Sequence, residues 1–357
     1  MKQFLNKIIQ GNCIEVLAQL PENSVDIIFA DPPYNLQLQK DLYRPNQSKV
    51  DGVFDKWDSF RSFQEYDKFT EAWLKACRRV LKKNGTIWVI GSYHNIFRVG
   101  TTMQNLGFWI LNDIIWIKSN PMPNFRGTRF TNAHETLIWA KKQQKASYTF
   151  HYKSMKMFND DVQMRSDWYL PICLGKERIK IDGKKAHSTQ KPEDLLYRVL
   201  LSSSNVGDVV LDPFSGSGTT AAVAKRLGRQ FIGIEREEKY IDVANERLEN
   251  VRPIALDLLN YDVERKPPRV PFGSLIEKEM IAVGEFLFSK KKQYKVQVLA
   301  TAVVQDEKMQ ASIHKMGAKM TNKTSCNGWT FWYVERGGKL ISINELRKQY
   351  IETYLMI

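Results

Sequence analysis

Four consecutive residues, Asp31-Pro32-Pro33-Tyr34, bring together an acid, a stiff backbone and an aromatic ring. An exocyclic amine on a heteroaromatic ring is a poor nucleophile, because its lone pair is delocalised into the ring. A carboxylate such as Asp31 can accept a hydrogen bond from one amine hydrogen. A proline-stiffened backbone can hold a carbonyl as a second acceptor. Together they favour the pyramidal amine, which can attack a sulfonium methyl. Tyr34 offers a ring face on which an extruded base can stack. Such a reaction is an in-line displacement, helped mainly by positioning and electrostatics. Taken alone, the tetrapeptide also describes a strand that ends in a proline turn with an aromatic plug.

A second segment, Asp212-Pro213-Phe214-Ser215-Gly216-Ser217-Gly218-Thr219-Thr220, fits a strand-to-helix turn whose glycines let a ligand approach the backbone. It matches neither the phosphate loop GxxxxGK[ST] nor the dinucleotide pattern GxGxxG. Glu235 follows about twenty residues later, where an acidic side chain can accept hydrogen bonds from ribose hydroxyls. A glycine turn alone is a weak signal. The turn, the spacing and the acid together point to a nucleoside-bearing cofactor.

The elements that must position these residues alternate. Val25–Ala30 reads as a strand running into the Asp31 loop. Tyr66–Leu81 has helical apolar spacing, Lys82-Lys83-Asn84-Gly85 reads as its stop, and Thr86–Ile90 as the next strand. A helix after Gly91 leads to a strand over Trp109–Trp116. In the second half, Asp208–Leu211 and Gln230–Glu235 read as strands, with helices over Thr219–Leu227 and Glu237–Val251. The alternation predicts a parallel, helix-covered sheet. Residues 117–185 read as irregular, basic and aromatic-rich, and Lys266-Pro267-Pro268-Arg269-Val270-Pro271 as an extended linker. Beyond it, Val296–Val304 and Trp329–Val334 read as strands and Ile343 opens a final helix.

Composition narrows the partner. The 357 residues carry a formal charge of +14. Residues 113–206 hold 16 Lys/Arg against 9 Asp/Glu, and 253–357 hold 16 against 11. Residues 207–252, around the glycine turn, hold 7 against 8. Basic blocks flanking a neutral cofactor segment suit a polyanion, and nucleic acid is the obvious one. No apolar run is long enough for a membrane span, which is about 18 residues. Cys13, Cys77, Cys173 and Cys326 are far apart, so neither a disulfide framework nor a metal site is expected, and a reducing cytoplasm fits.

The tetrapeptide DPPY, the segment DPFSGSGTT and the intervening His187-Ser188-Thr189-Gln190-Lys191-Pro192 resemble the amino-methyltransferases of DNA in their β-group order, over residues of about 5–250. Within that group the chain resembles the cell-cycle-regulated adenine methyltransferases that modify GANTC. The likeness rests on Ser92–Phe97, Asn120–Phe125, Arg129-Phe130, Asn132–Thr136, Gln163–Trp168, Ser312–Lys315 and Cys326–Thr330. The resemblance implies an α/β, Rossmann-like S-adenosylmethionine-dependent methyltransferase fold, with a mostly parallel sheet and a circularly permuted motif order. It places that domain at 1–255 (catalytic motif 25–36, target recognition 117–185, cofactor motifs 187–235), a linker at 256–271 and a small C-terminal α+β DNA-binding domain at 272–357. It implies N6-methylation of adenine by base flipping, double-stranded DNA as partner, a homodimer, and a cytoplasmic, nucleoid-associated location linked to DNA replication and the cell cycle.

The same family pattern implies Asp31, Pro32, Pro33 and Tyr34 as catalytic residues. Its cofactor set is Asn12, Cys13, Asp31, Asp212, Phe214, Gly216, Gly218 and Thr219, with Glu235 on the ribose and Lys191-Pro192 near the methionine end. The family usually reads Gly-Asp where this chain has Gly11-Asn12, and an amide can still accept as well as donate. For DNA, Asn124, Arg126, Arg129 and Asn132 offer base-edge groups, and Phe125 and Phe130 could stack or wedge. Lys141, Lys142, Lys145, Lys153 and Lys156 suit phosphates or plain solvated faces. His314, Lys315, Asn327, Trp329 and Trp332 mix polar and aromatic types as a nucleic-acid surface would, although the two tryptophans also suit a small β-domain core. His94 and His187 read as structural, without a metal. Cytosine-N4 methylation, or DNA binding with a vestigial site, are the alternatives; an acid at Asp31 leans towards adenine.

Overall fold

Val25–Ala30 and Gln230–Glu235 are apolar almost throughout, a pattern that suits strands covered on both faces. A computed structural model describes residues 1–36, 58–124, 127–175, 177–181, 183–186, 189–259 and 269–355. The chain divides into two units, Met1–Tyr261 and Asp262–Ile357.

The first unit runs β1 (Lys7–Gln10), α1 (Cys13–Gln19), β2 (Val25–Ala30), α2 (Phe63–Val80), β3 (Leu81–Gly91), α3 (Ile96–Asn105), β4 (Trp109–Lys118) and β5 (His134–Lys141). It continues α4 (Tyr152–Met157), β6 (Asp167–Leu170), a two-strand ribbon β7 (Lys180–Ile181) and β8 (Lys184–Lys185), α5 (Glu193–Ser203), β9 (Val209–Asp212), α6 (Thr219–Arg226), β10 (Gln230–Glu235) and α7 (Glu238–Asn250). Eight strands form one sheet in the order β1-β10-β9-β2-β3-β5-β4-β6, and every neighbouring pair is parallel except the two that involve β5. Successive residues of β2 serve opposite cores. Ile28 and Ala30 join α1–α3, whereas Ile27 and Phe29 join α5, α6 and the end of α7.

Strand β9 leads to β10 on one side and β2 to β3 on the other, so the carboxyl ends of β9 and β2 lie at the point where the winding reverses. Open α/β sheets bind ligands there. Asp31 follows β2 and Asp212 ends β9, which brings together two motifs 181 positions apart in the chain.

Three readings of the first unit need correction. Residues 134–141, counted within the irregular recognition region, are an internal strand, and Trp139 of β5 stacks on its register partner Trp88 of β3 at 5.1 Å. The segment Lys82–Gly85 does not end before the strand. It lies within β3 at a register shift against β2, with Lys82 paired to Asp26 at 2.7 Å. The first unit also extends beyond residue 255, because Leu259 is buried in its core. Most of the expected linker, 260–268, lies outside the described residues.

The second unit contains α8 (Phe272–Glu277), β11 (Phe286–Ser289), β12 (Lys295–Val298), β13 (Val304–Gln305), β14 (Gln310–Ala311), α9 (Ile313–Met320), α10 (Gly328–Phe331), β15 (Trp332–Arg336), β16 (Lys339–Ser342) and α11 (Ile343–Tyr354). Its six strands form an antiparallel sheet, β14-β13-β12-β11-β15-β16, over a core centred on Trp332, Leu287, Val334 and Ile343. The expected strand 296–304 is two strands joined by a turn, and 329–331 is a helical turn capped by Asn327 rather than strand.

Candidate active site

The loop after β2 is held by its neighbours as well as by its prolines. Asp58 accepts from the backbone N–H of Asn35 at 2.7 Å and of Leu36 at 3.3 Å. The Tyr66 hydroxyl on α2 donates to the Pro33 carbonyl at 2.8 Å and is itself braced by Asn95 at 3.2 Å. Asn35 takes the left-handed conformation, φ 54°, which asparagine tolerates better than most residues. Asp58 and Tyr66 had no functional signal of their own in the sequence, because each acts on a backbone atom that only the fold brings near.

Asp31, Tyr34, Glu135 and Lys191 form a charged cluster with little solvent. Lys191 Nζ donates to Asp31 Oδ2 at 2.7 Å, and the lysine is only 8% exposed. It lies 3.9 Å from Glu135 Oε2 and 5.2 Å from the centre of the Tyr34 ring. The Tyr34 hydroxyl donates to Glu135 Oε2 at 2.9 Å, and Lys118 pairs with Glu135 Oε1 at 2.8 Å. Burial raises the Asp31 carboxyl against the pull of Lys191. Burial would also raise Glu135, but Lys191 and Lys118 beside it hold it below its usual range. Burial alone would lower the Lys191 ammonium, yet Asp31 and Glu135 raise it, so it stays charged.

A cavity of about 330 Å³ opens from this cluster. Asn12, Cys13, Asp31, Pro32, Pro33, Tyr34, Phe214, Gly216 and Glu235 line it. Phe60 and Phe69 add an aromatic wall that runs through Phe214 to Trp73. Phe69 was visible only as one apolar position in a helix, and Phe60 carried no signal. Glu235 already accepts from the N–H groups of Gly216, Arg236 and Glu237 at 2.8–2.9 Å. A carboxylate has about four lone-pair sites, which leaves room for a ribose hydroxyl. Asn12 caps α1 by accepting from Ile14 N–H at 2.9 Å, and its side chain still borders the cavity.

The remaining cofactor candidates sit differently. Asp212 and Thr219 line a small neighbouring space of about 30 Å³ together with Lys191 and Asp31. Asp212 is buried. It accepts from Phe214 N–H at 2.9 Å and from the Thr220 hydroxyl at 2.6 Å, and so shapes the turn. Burial pushes its carboxyl up to about 7. Gly218 is a packing glycine, since a Cβ there would meet Ala244 Cβ of α7 at 2.8 Å. Pro192 opens α5 and lines neither space. Lys191 lines only the small space, where it donates to Asp31.

Residues expected to meet DNA divide in the same way. Arg129 and Asn132 are exposed on the 119–133 loop between β4 and β5, and Phe130 is 98% exposed. Asn124 donates to the Arg129 carbonyl at 3.0 Å, and Arg129 reaches the Tyr93 hydroxyl at 2.7 Å. Phe125, Arg126 and His187 lie outside the described residues. His94 leans on Ser92 and stacks on Tyr93. Lys141 and Lys142 have partners within the unit. They donate to the backbone carbonyls of Ala146 and Leu81. Lys145 and Lys153 are exposed, and Lys156 pairs with Asp161. In the second unit His314, Lys315 and Asn327 are exposed, although His314 Nδ1 accepts from Gly328 N–H. Trp329 and Trp332 are core residues. Trp332 is fully buried with its indole N–H on the Ile313 carbonyl at 2.9 Å, and Trp329 packs beside Phe272.

Comparison with known proteins places this geometry. The family described as DNA methylase matches residues 25–246, and the description Restriction Enzyme Adenine Methylase Associated matches 257–354. The chain belongs to the DNA methylase family. It is a DNA methyltransferase, and its cofactor is S-adenosylmethionine. The chain is 54% identical over 351 residues to the type II methyltransferase M.HinfI of Haemophilus influenzae, covering 98% of each. It is 43% identical over 253 residues to the type II methyltransferase M2.DpnII of Streptococcus pneumoniae, covering 70% of this chain and 92% of that one. Among solved structures, the M1.HpyAVI–SAM complex superposes with TM-score 0.51 at 28% identity, over 68% of this chain and 98% of the other. The PvuII cytosine-N4-specific methyltransferase shares the fold, with TM-score 0.54 at 21% identity over 71% and 89%. The cavity suits the family's cofactor: an aromatic wall for the adenine, Glu235 for the ribose, and Asp31, paired with Lys191, at the end where a sulfonium would lie. Among the described residues, no helix is long and apolar enough to cross a membrane.

Proposed function

We infer that the chain is an adenine-specific DNA methyltransferase that modifies N6 of a base drawn out of a short duplex site, GANTC. The observation that carries this reading is the state of the Asp31 carboxylate. It borders the cofactor cavity, with Oδ2 held by Lys191 and Oδ1 buried without a hydrogen-bond partner among the described residues. An ionised carboxylate only accepts, so Oδ1 suits an N–H donor, and an exocyclic amine is one. S-Adenosylmethionine, when bound, supplies an electrophilic methyl group on sulfur. Asp31 Oδ1 takes one amine hydrogen. Pro32 offers its carbonyl for the other, since Pro33 is engaged by Tyr66. Tyr34 presents its ring, because its hydroxyl is tied back to Glu135. The choice of adenine is supported by the acid at this position. The choice of GANTC is supported by the resemblance of segments 92–97, 120–125, 129–130, 132–136, 163–168, 312–315 and 326–330.

The 119–133 loop, with Arg129, Phe130 and Asn132 exposed, is the base-reading element of this proposal. His314, Lys315 and Asn327 of the second unit add a polar surface for the duplex. The test is to incubate duplexes with labelled S-adenosylmethionine and analyse the nucleosides. N6-methyladenine confined to GANTC duplexes is expected. Label in N4-methylcytosine would overturn the adenine assignment, and equal label in duplexes with a scrambled site would overturn GANTC.

A further inference from the structure

The charged cluster contains two residues, Glu135 and Lys118, that the chemistry at Asp31 does not touch. Lys118 ends β4 and Glu135 is the second residue of β5, so the pair closes the neck of the 119–133 loop. Each is 12% exposed. An ion pair with so little water is not a surface ornament, since each charge loses most of its hydration. Glu135 Oε2 receives the Tyr34 hydroxyl at 2.9 Å, and Lys191 Nζ stands between it and Asp31, at 3.9 Å and 2.7 Å. Glu135 thus governs two things. It turns the Tyr34 hydroxyl inward so that the ring borders the cavity, and it anchors the lysine that holds Asp31 by Oδ2 and leaves the buried Oδ1 without a hydrogen-bond partner among the described residues.

We propose that Glu135, neutralised by Lys118, is a positioning residue for methyl transfer that sets the Tyr34 ring and, through Lys191, the accepting oxygen of Asp31. The proposal rests on the assignment of Asp31 and Tyr34 to the reacting base. Removing both charges together, E135Q with K118Q, leaves the net buried charge unchanged and spares the fold an unpaired ion. The single-turnover transfer rate then falls about 100-fold, as a misplacement near 1 Å does, while the Kd for S-adenosylmethionine and for the duplex stays within about twofold. A second readout is the coupling to Tyr34. In the parent enzyme Y34F lowers the rate. In the E135Q/K118Q background it lowers the rate less, because a neutral amide oxygen holds the hydroxyl more weakly than the carboxylate does. E135D is the fallback variant: it keeps the charge for Lys118 but draws back from Tyr34, and an intermediate loss of rate is expected.

A rate within about twofold of the parent in E135Q/K118Q, or in E135D should the double variant not fold, would overturn the proposal. So would additive effects with Y34F. D31N separates the two levels of inference. If D31N still transfers methyl, the reading of Asp31 itself fails. If D31N is dead and E135Q/K118Q is fully active, only the role of Glu135 fails.

Discussion

Asp212 tests the link between burial and charge in the cofactor turn. Its carboxyl has two donors, Phe214 N–H and the Thr220 hydroxyl, and burial pushes it from 3.8 up to about 7. A raised carboxyl means that the folded state holds its proton more tightly than the unfolded chain does. Stability is therefore greatest below about pH 4, falls as pH rises, and the loss is complete above about 7. With one pKa unit worth about 1.4 kcal/mol, the full effect is on the order of 4 kcal/mol. Asp212→Asn cannot ionise. Its amide oxygen can still accept from Phe214, and its amide nitrogen can donate to Thr220 once that hydroxyl turns. The melting temperature of each protein is measured by calorimetry at pH 5.5, 7 and 8.5. The variant should gain on the parent as pH rises, by roughly 2–4 °C for each kcal/mol at this size. A difference that does not change with pH, or that shrinks, would refute the reasoning.

Asp31→Ala should abolish methyl transfer and leave duplex affinity largely intact; a parallel loss of both, measured by filter assay and anisotropy, would make Asp31 structural. Glu235→Ala should weaken S-adenosylmethionine binding in titration calorimetry more than tenfold, since it also releases three turn N–H groups; unchanged affinity would remove Glu235 from the cofactor site. Trp332→Ala should cost the second unit about 3–5 kcal/mol, seen in its denaturant midpoint, because it empties a core position and orphans the Ile313 carbonyl. Ending the chain at residue 269 should weaken DNA binding and flatten its dependence on salt; an unchanged slope would deny the second unit a phosphate-binding role.

The residues that do chemistry were legible because their types are unusual in series. Asp31–Tyr34 and Asp212–Thr220 needed no fold to be singled out, and the strands before them followed from apolar runs that only two-sided burial explains. The unequal charge likewise stated the partner's sign. Periodicity could not place β5. Its apolar run lies among basic residues, and its antiparallel insertion between β3 and β4 is a fact of long-range pairing. The two tryptophans of the second unit were ambiguous for a related reason: an indole serves a core or a nucleic-acid surface equally well, and only the surrounding sheet decides.

Residue type and spacing, then, determined the reaction class, the cofactor turn and the basic character of this protein, since those depend on chemistry that stays with each side chain. Tertiary structure alone decided which groups meet. Lys191 belongs to Asp31 across 160 positions, Tyr34 to Glu135 across 101, and Gly218 packs against Ala244 of α7. Such contacts span sequence separations at which no local pattern survives. They are settled by how strands stack at the reversal point of the sheet, where the ends of β2 and β9 converge.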